Sequence, residues 1–259
     1  MIEEPYRWVE AVANRREYIE TQLSGGRPIA AVGYAEGILF VTLGTTRQKV
    51  FEIYDRIAMG AIGHPGDIER LRMAAIELAS TEGFTRSAAD VSLRRLAYYS
   101  LSPMLKAAFE QIYGAPYLAR MLFAEIGEKP ENDLFLRVEY DGAIATNGGT
   151  IGNTRQDFGV LSGTTASADL MEAYLQNAHE ENATLAQTLR TAVNAWTVGQ
   201  MALGEEAARA LPTDDALRAE REKHVSAGQI EAALLERSSR IAIRYRALTP
   251  AEIKTALDA

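Results

Sequence analysis

The residues most often used for catalysis and metal binding are few in this chain and widely separated. The sequence has three histidines, His64, His179 and His224, and no cysteine. The segment that begins at His179 lacks the second histidine, four residues on, that a zinc-peptidase helix carries. We therefore expect no metal site and no cofactor, and we interpret the three histidines as surface or loop residues. The lack of cysteine excludes disulfides and thiol catalysis.

Two glycine-rich segments could hold an anion through free backbone N–H groups. The segment that begins at Gly163 leads into a helix pattern, but it has neither the lysine nor the spacing of a phosphate-binding loop. We interpret it as helix capping by Thr165 or Ser167. The cluster at 147–152 is followed by no helix pattern and indicates a loop. No pair of carboxylates is singled out for acid–base chemistry.

Composition and charge narrow the class of protein further. The chain has 259 residues, 47% hydrophobic and 24% charged, with a net charge of −8, as expected of a globular protein with a substantial core. Lysine and arginine are scattered, so we expect no nucleic-acid partner. No apolar run approaches the roughly 18 residues of a membrane span, and the first ten residues do not form a signal peptide. We therefore expect no membrane partner and a cytoplasmic location.

The first half of the chain predicts one helix, four strands and two further helices. An amphipathic helix over 8–23 ends at the glycines 25–26 and carries one apolar stripe. The stripe consists of Trp8, Val12, Ile19 and Leu23. Strands are predicted at 29–35, 38–42, 49–55 and 57–63. A helix over 64–84 follows, with Asp67 as its N-cap and an apolar stripe of Ile68, Leu71, Ala75 and Leu78. A second helix over 87–113 should be kinked or divided at Pro103.

The second half repeats this order of strands and helix pairs. Strands are predicted at 119–127, 133–140 and 157–163, with a hairpin turn at Asp141–Gly142. Helices follow at 166–182 and 185–203, and a charged linker then covers 204–225. Strands at 228–236 and 239–248 precede a final helix, which Thr249, Pro250 and Glu252 begin as N-cap, first-turn proline and first-turn acid. Because the helices come in pairs, the order favours an α+β fold with two packed sheets between helix layers, a four-layer α/β/β/α sandwich in one domain.

Five segments of the chain resemble, in the same order, segments of proteasome α-type subunits. The segments are 30–42, 48–84, 133–144, 166–193 and 228–245, and the likeness is greatest to bacterial subunits of the actinobacterial kind, which degrade pupylated proteins. The resemblance implies one domain over 1–259 with the fold of N-terminal-nucleophile hydrolases. It divides this domain into a gate segment at 1–7, the extra N-terminal helix of α-type subunits at 8–24 and the sandwich at 27–259. The loop at 147–157 is longer than usual, which leaves the lineage and the link to pupylation open.

The resemblance also bears on the catalytic position. In the related β-type subunits the first strand starts with a threonine whose hydroxyl attacks the peptide bond. The equivalent position here resembles Ile29, preceded by Pro28, and neither side chain is a nucleophile. The resemblance therefore implies a chain with no catalytic residue of its own, within a threonine-type endopeptidase complex.

Four residues receive roles from the resemblance alone. Lys49 matches the lysine that pairs with the C-terminal carboxylate of an activator, and Gly63 matches the glycine at the wall of the same pocket. Read without the family, they are a solvated lysine at a strand end and a turn glycine. Pro5 and Tyr6 would order the gate segment, and the alternative is a frayed terminus.

The implied partners are those of an outer proteasome ring. They are further copies of this chain in a seven-membered α ring, proteasome β subunits, an ATPase activator bound through its C-terminal tail, and unfolded protein substrates. Two other functions stay open. An active N-terminal-nucleophile peptidase would need internal processing, and the nearest hydroxyls, those of Ser24 and Thr42, are poorly placed for it. A ring scaffold without β subunits is the second alternative.

Overall fold

The computed structural model describes residues 5–44, 47–111, 114–147, 157–204, 208–227 and 229–258, and all their side chains except those of 5–7, 147 and 226–227. Residues 1–4 of the predicted gate segment and most of the glycine-rich loop, 148–156, lie outside the described residues.

Two antiparallel sheets of five strands form the centre of the molecule. The first sheet has the order β10-β9-β2-β1-β8. Its strands are β1 (Ile29–Tyr34), β2 (Gly37–Gly44), β8 (Phe158–Leu161), β9 (Gln229–Glu236) and β10 (Tyr245–Ala247). The second sheet runs β3-β4-β5-β6-β7 in chain order. Its strands are β3 (Val50–Tyr54), β4 (Ile57–Gly63), β5 (Ala119–Glu125), β6 (Leu134–Val138) and β7 (Ile144–Asn147).

Helices cover the outer faces of both sheets. Helices α2 (Pro65–Thr85), α3 (Leu93–Leu96) and α4 (Ser102–Glu110) lie on the second sheet. Helices α5 (Thr165–Ala178), α6 (Leu185–Met201) and α8 (Pro250–Asp258) lie on the first. Helix α7 (Asp214–Ala227) packs on α6, and α1 (Pro5–Leu23) precedes the sandwich.

The alternation of side chains along β1 shows why the layers form. Ile29 and Ala31 point into the apolar layer between the sheets, whereas Ala30 and Val32 point to the helix layer above the first sheet. A strand with both faces covered is apolar at every position, and all six residues of β1 are buried. The predicted four-layer α/β/β/α sandwich is confirmed.

Several predicted boundaries and caps at the front of the chain are wrong. Helix α1 begins at Pro5, so Pro5 and Tyr6 lie in its first turn rather than ahead of the helix predicted over 8–23. Trp8 is exposed, and the buried part of the helix is its end, at Ile19 and Leu23, which pack with Phe109 and Tyr140. The buried face of α1 is therefore shorter than predicted: it begins at the partly buried Val12 and does not include Trp8.

Helix α2 starts differently from the prediction. His64, not Asp67, occupies its N-cap position, and the Asp67 carboxylate instead accepts a hydrogen bond from the backbone N–H of Leu118 at 3.0 Å. Leu78 is exposed, and Ala79 is buried in its place. The apolar stripe is thus rotated by one residue at the end of the helix.

The helix predicted over 87–113 is divided next to Pro103, as predicted, but its helical part begins at Leu93 and ends at Glu110. After α3, residues Ala97–Leu101 form a π-helical turn, and α4 then begins at Ser102. Proline has no N–H to bond the carbonyl four residues back, and its ring crowds that carbonyl, so the preceding turn widens.

The predicted linker at 204–225 contains helix α7 instead of an irregular segment. Its signals were present in the sequence: the Thr213 hydroxyl accepts from the Ala216 N–H, and Asp214 and Asp215 fill the positive first turn. The mainly charged composition hid them, because only Leu217 is buried among the side chains described.

Two further differences follow from side chains that bond to the backbone. Residues 239–244 are a loop, because the Arg244 guanidinium donates to the carbonyls of Arg237 and Ser239, and only β10 remains of the predicted strand. At α5 the cap is Thr164 rather than Thr165 or Ser167. The predicted start of the last helix is confirmed, since Thr249 and Glu252 bond each other's backbone N–H groups.

Candidate functional site

The start of β1 holds an apolar side chain inside the sandwich. Ile29 is fully buried between the sheets, with its Cγ2 atom against Gly60 of β4. Thr42, opposite Ile29 on β2, is also buried, and its hydroxyl donates to the Pro28 carbonyl at 2.8 Å. The Ser24 hydroxyl donates to the carbonyl of Thr21. Both nearby hydroxyls are therefore engaged with backbone carbonyls.

A cavity of about 470 Å³ opens beside the loop that leads into β1, where the start of β3 meets the turn between β4 and α2. Lys49 and Gly63 both line it, so the structure brings the two predicted activator-binding residues together. Three cationic side chains share its lining: Arg27, Arg47 and Lys49. Among the described residues, its one lining carboxylate is Glu69, which is bound by the Arg72 guanidinium through two hydrogen bonds of 2.7 and 2.8 Å.

The backbone of Lys49 is held from both sides. Its carbonyl accepts from the Ala61 N–H at 3.0 Å, which continues the ladder between β3 and β4. Its N–H donates to both carboxylate oxygens of Glu231, at 3.0 and 3.1 Å, and the N–H of Val50 donates to Oε1 of the same carboxylate at 2.9 Å. A carboxylate of the first sheet thus fixes the first residues of the second.

Lys49 is part-buried, and its ammonium makes no ion pair within 4.0 Å among the residues that the structure describes. Burial, and to a smaller degree the nearby Arg27, lower the pKa of Lys49 to about 8, and the negative charge of Glu231 opposes this. Burial raises the pKa of Glu231, against its hydrogen bonds with Lys49 and Val50. A cation that is partly removed from water and not neutralised favours an anionic ligand.

Gly63 has a backbone reason to be glycine. Its φ is +130°, and a Cβ atom at this position would lie 2.0 Å from the Leu118 carbonyl oxygen. The residue ends β4, and the next one starts the entry to α2, so the chain turns sharply here. The first-turn N–H groups of α2, beginning after Pro65, add a positive dipole end to the same side of the cavity.

The three histidines stand apart in the structure. His64 precedes α2 and is exposed, a ring nitrogen of His179 lies 2.8 Å from the Gly33 carbonyl, and His224 lies 3.0 Å from Glu220 on α7. The described residues contain no group of three or more potential metal ligands. Nor does any helix within the described ranges have the length and apolar character to cross a membrane.

Sequence reasoning did not find Glu231, Arg27 or Arg47. Glu231 was the easiest to find, because it is a carboxylate near the start of the otherwise apolar stretch 230–235 of β9, where an unpaired charge would be costly. The two arginines lie in loops that carried no pattern. The two arginines line the same cavity as Lys49 only because β1 packs against β4, and that packing cannot be read from the sequence.

Together, the fold and the cavity define a class of protein: a two-sheet sandwich with helices outside, an additional helix in front, and an isoleucine at the start of its first strand. No family model matches the chain. Curated relatives do. It is 30% identical over 250 residues to a proteasome subunit alpha of Nocardioides sp., which covers 96% of this chain and 86% of the relative.

Two further relatives carry the same name. The chain is 33% identical over 188 residues to a proteasome subunit alpha of Streptomyces coelicolor, covering 72% of this chain and 69% of the relative. It is 33% identical over 230 residues to that of Actinosynnema mirum, covering 88% and 77%. The chain belongs to the proteasome α subunit family, which confirms the resemblance found in its sequence.

Proposed function

We propose that this chain is the non-catalytic α subunit of a core proteasome, forming an outer ring that gates substrate entry and docks activators. In this function it joins copies of itself in a seven-membered ring and stacks on β subunits that carry the catalytic threonine. Unfolded proteins would enter through the ring, and an ATPase activator would bind by its C-terminal tail. The whole complex would act as a threonine-type endopeptidase in the cytoplasm.

The observation that carries this proposal is the Lys49 cavity. It combines a part-buried ammonium, two further cations and a helix N-terminal end, which together favour a carboxylate. The terminal carboxylate of a peptide tail would accept a charge-assisted hydrogen bond from the Lys49 ammonium. Because Gly63 has no side chain, it would leave room for the tail backbone at the cavity wall.

The activator-docking function is tested by Lys49→Ala in a complex reconstituted with the cognate β subunit. We expect normal barrels and normal basal peptide hydrolysis. Activator-stimulated protein degradation should fall by at least about tenfold, because one charge-assisted hydrogen bond to the activator is lost. Lys254→Ala is the matched control, because Lys254 is exposed on α8, far along the chain from the cavity lining. Unchanged stimulation in Lys49→Ala would remove Lys49 from docking.

The non-catalytic function is supported by Ile29, which puts an apolar, fully buried side chain where the β-type threonine would stand. We expect the purified chain to keep its intact mass and to hydrolyse no peptide alone. Thr42→Val should leave activity of the barrel unchanged, since its hydroxyl is engaged with the Pro28 carbonyl. Peptide cleavage by the lone chain that disappears in Thr42→Val or Ser24→Ala would establish the active-peptidase alternative.

The gating function concerns residues 1–7, including Pro5 and Tyr6. Helix α1 would hold this segment in place, because Ile19 and Leu23 anchor its end in the sandwich. Deleting residues 1–7 should raise basal hydrolysis of short peptides by the assembled barrel severalfold without changing ring formation. An unchanged basal rate would show that these residues do not close the pore.

A further inference from the structure

Glu231 connects the two sheets at the Lys49 cavity. It lies on β9, directly opposite Thr42 of β2, and its carboxylate leaves the first sheet to accept the N–H groups of Lys49 and Val50. It does not line the Lys49 cavity itself, but it lines a neighbouring one of about 530 Å³ that shares Gly44, Arg47 and Gln48 with it. Glu231 is thus bonded to the backbone of Lys49 from outside the lining of the Lys49 cavity.

Charged and titratable groups reach this region from several elements. Arg27 comes from the loop before β1, Arg47 from the loop before β3, Glu69 from α2 and Tyr245 from β10. The Glu69 carboxylate is already paired with the Arg72 guanidinium, at 2.7 Å. The Tyr245 hydroxyl donates to the Val50 carbonyl at 3.1 Å. Burial, with the negative charge of Glu231, raises the pKa of Tyr245 to about 12, so Tyr245 stays neutral near pH 8. Among the described residues, Glu231 is therefore the anion that acts on the charge of Lys49.

We propose that Glu231 is the positioning residue of the activator pocket: it fixes the backbone of Lys49 and keeps its ammonium charged against the repulsion of Arg27. This inference rests on the proposed docking function. Glu231 and Arg27 act on the same ammonium in opposite directions, because a negative neighbour favours the charged form and a positive one disfavours it. Burial is the largest cause of the lowered pKa of Lys49, and the balance between Arg27 and Glu231 adjusts the pH at which the pocket stops recognising a carboxylate.

Variants of Glu231 separate its two actions. Glu231→Gln keeps a carbonyl oxygen that can accept the backbone N–H groups, but it removes the charge. Glu231→Asp keeps the charge on a shorter side chain. Glu236→Gln is the matched control, because Glu236 lies at the other end of β9 and pairs with Arg246 at 2.9 Å.

The experiment measures binding of a fluorescent synthetic peptide, the last ten residues of the cognate ATPase activator, to the assembled barrel between pH 6.5 and 9.5. In the wild type, affinity should fall as pH rises through about 8, where Lys49 loses its proton. In Glu231→Gln this midpoint should move down by about half to one pH unit, with weaker binding at pH 8 and nearly wild-type binding at pH 6.5. Arg27→Gln should move it up, and Glu236→Gln should leave it in place.

An unchanged midpoint in Glu231→Gln, or an equal shift in Glu236→Gln, would overturn the positioning function. If Glu231→Gln fails to assemble, Glu231→Asp still decides: its shorter side chain draws the carboxylate back from the lysine, so the midpoint should move down by a smaller amount, and a midpoint equal to that of the wild type would overturn the positioning function. Lys49→Ala and the peptide with an amidated C-terminus distinguish the two levels of the argument. If these bind like their wild-type counterparts, the docking function itself fails; if only the Glu231 prediction fails, docking stands.

Discussion

Two cations removed from water, Arg120 and Lys49, have opposite surroundings in this molecule. Arg120 on β5 is almost fully buried and donates to the Glu20 carboxylate at 2.5 and 2.6 Å and to Glu139 at 2.5 Å. It also reaches the Gly163 carbonyl at 3.0 Å. Lys49, by contrast, shares the lining of an open cavity with Arg27 and Arg47, and burial, with the charge of Arg27, lowers its pKa to about 8.

The difference separates a structural cation from one available to a ligand. The two carboxylates raise the pKa of Arg120 despite its burial, so its charge is matched within the chain. The Arg120 guanidinium also joins α1, through Glu20, to the second sheet and to the loop after β8. Lys49 has no carboxylate paired with its ammonium among the described residues. An anionic ligand from outside the chain would provide that pairing.

The largest expected effect is that of removing the matched cation. Arg120→Met should lower the free energy of unfolding by about 3 kcal/mol, because Glu20 loses its cation and Glu139 keeps only its ion pair with Arg137. Urea unfolding of the isolated chain measures it, and Arg218→Met, at an exposed position on α7, should stay within about 0.5 kcal/mol of wild type. An equally small effect of Arg120→Met would break the comparison, since the cluster would then contribute no stability.

An intermediate effect is expected for the turn that shapes the cavity. Gly63→Ala should cost about 1–3 kcal/mol, because the new Cβ would meet the Leu118 carbonyl and the residue would keep φ near +130°. Gly25→Ala is the control, since a Cβ there meets nothing within 4 Å. If both variants unfold at the same urea concentration as wild type, the backbone at Gly63 is more adaptable than its geometry indicates.

The smallest effect on stability is expected for the unmatched cation. Lys49→Met should change the free energy of unfolding by less than about 0.5 kcal/mol, because no ion pair is lost and repulsion with Arg27 is relieved. Measured beside Arg120→Met in the same urea series, it sharpens the comparison directly. A loss of several kcal/mol would mean that Lys49 has a structural partner and is not reserved for a ligand.

Much of the fold could be predicted from sequence because its signals are local. Strands such as 57–63 are apolar throughout, and the Thr249–Glu252 capping box is complete within four residues. The predictions that were wrong concern competition between local and tertiary preferences. The α7 segment looked like a linker because its mainly charged composition hid the capping signals of a helix that packs on α6. Residues 239–244 looked like a strand, but Arg244 closes them as a loop.

The sequence by itself determined most of the order of the elements, the sandwich class, the family resemblance and the isoleucine at the start of β1. Only the tertiary structure decided the electrostatics of the cavity. Arg27, Lys49 and Glu231 come from three distant parts of the chain, and each acquires its meaning from how close the others lie and how much water is excluded between them. Such distances and exposures arise when two sheets pack, and they leave no periodic or local signal in the sequence.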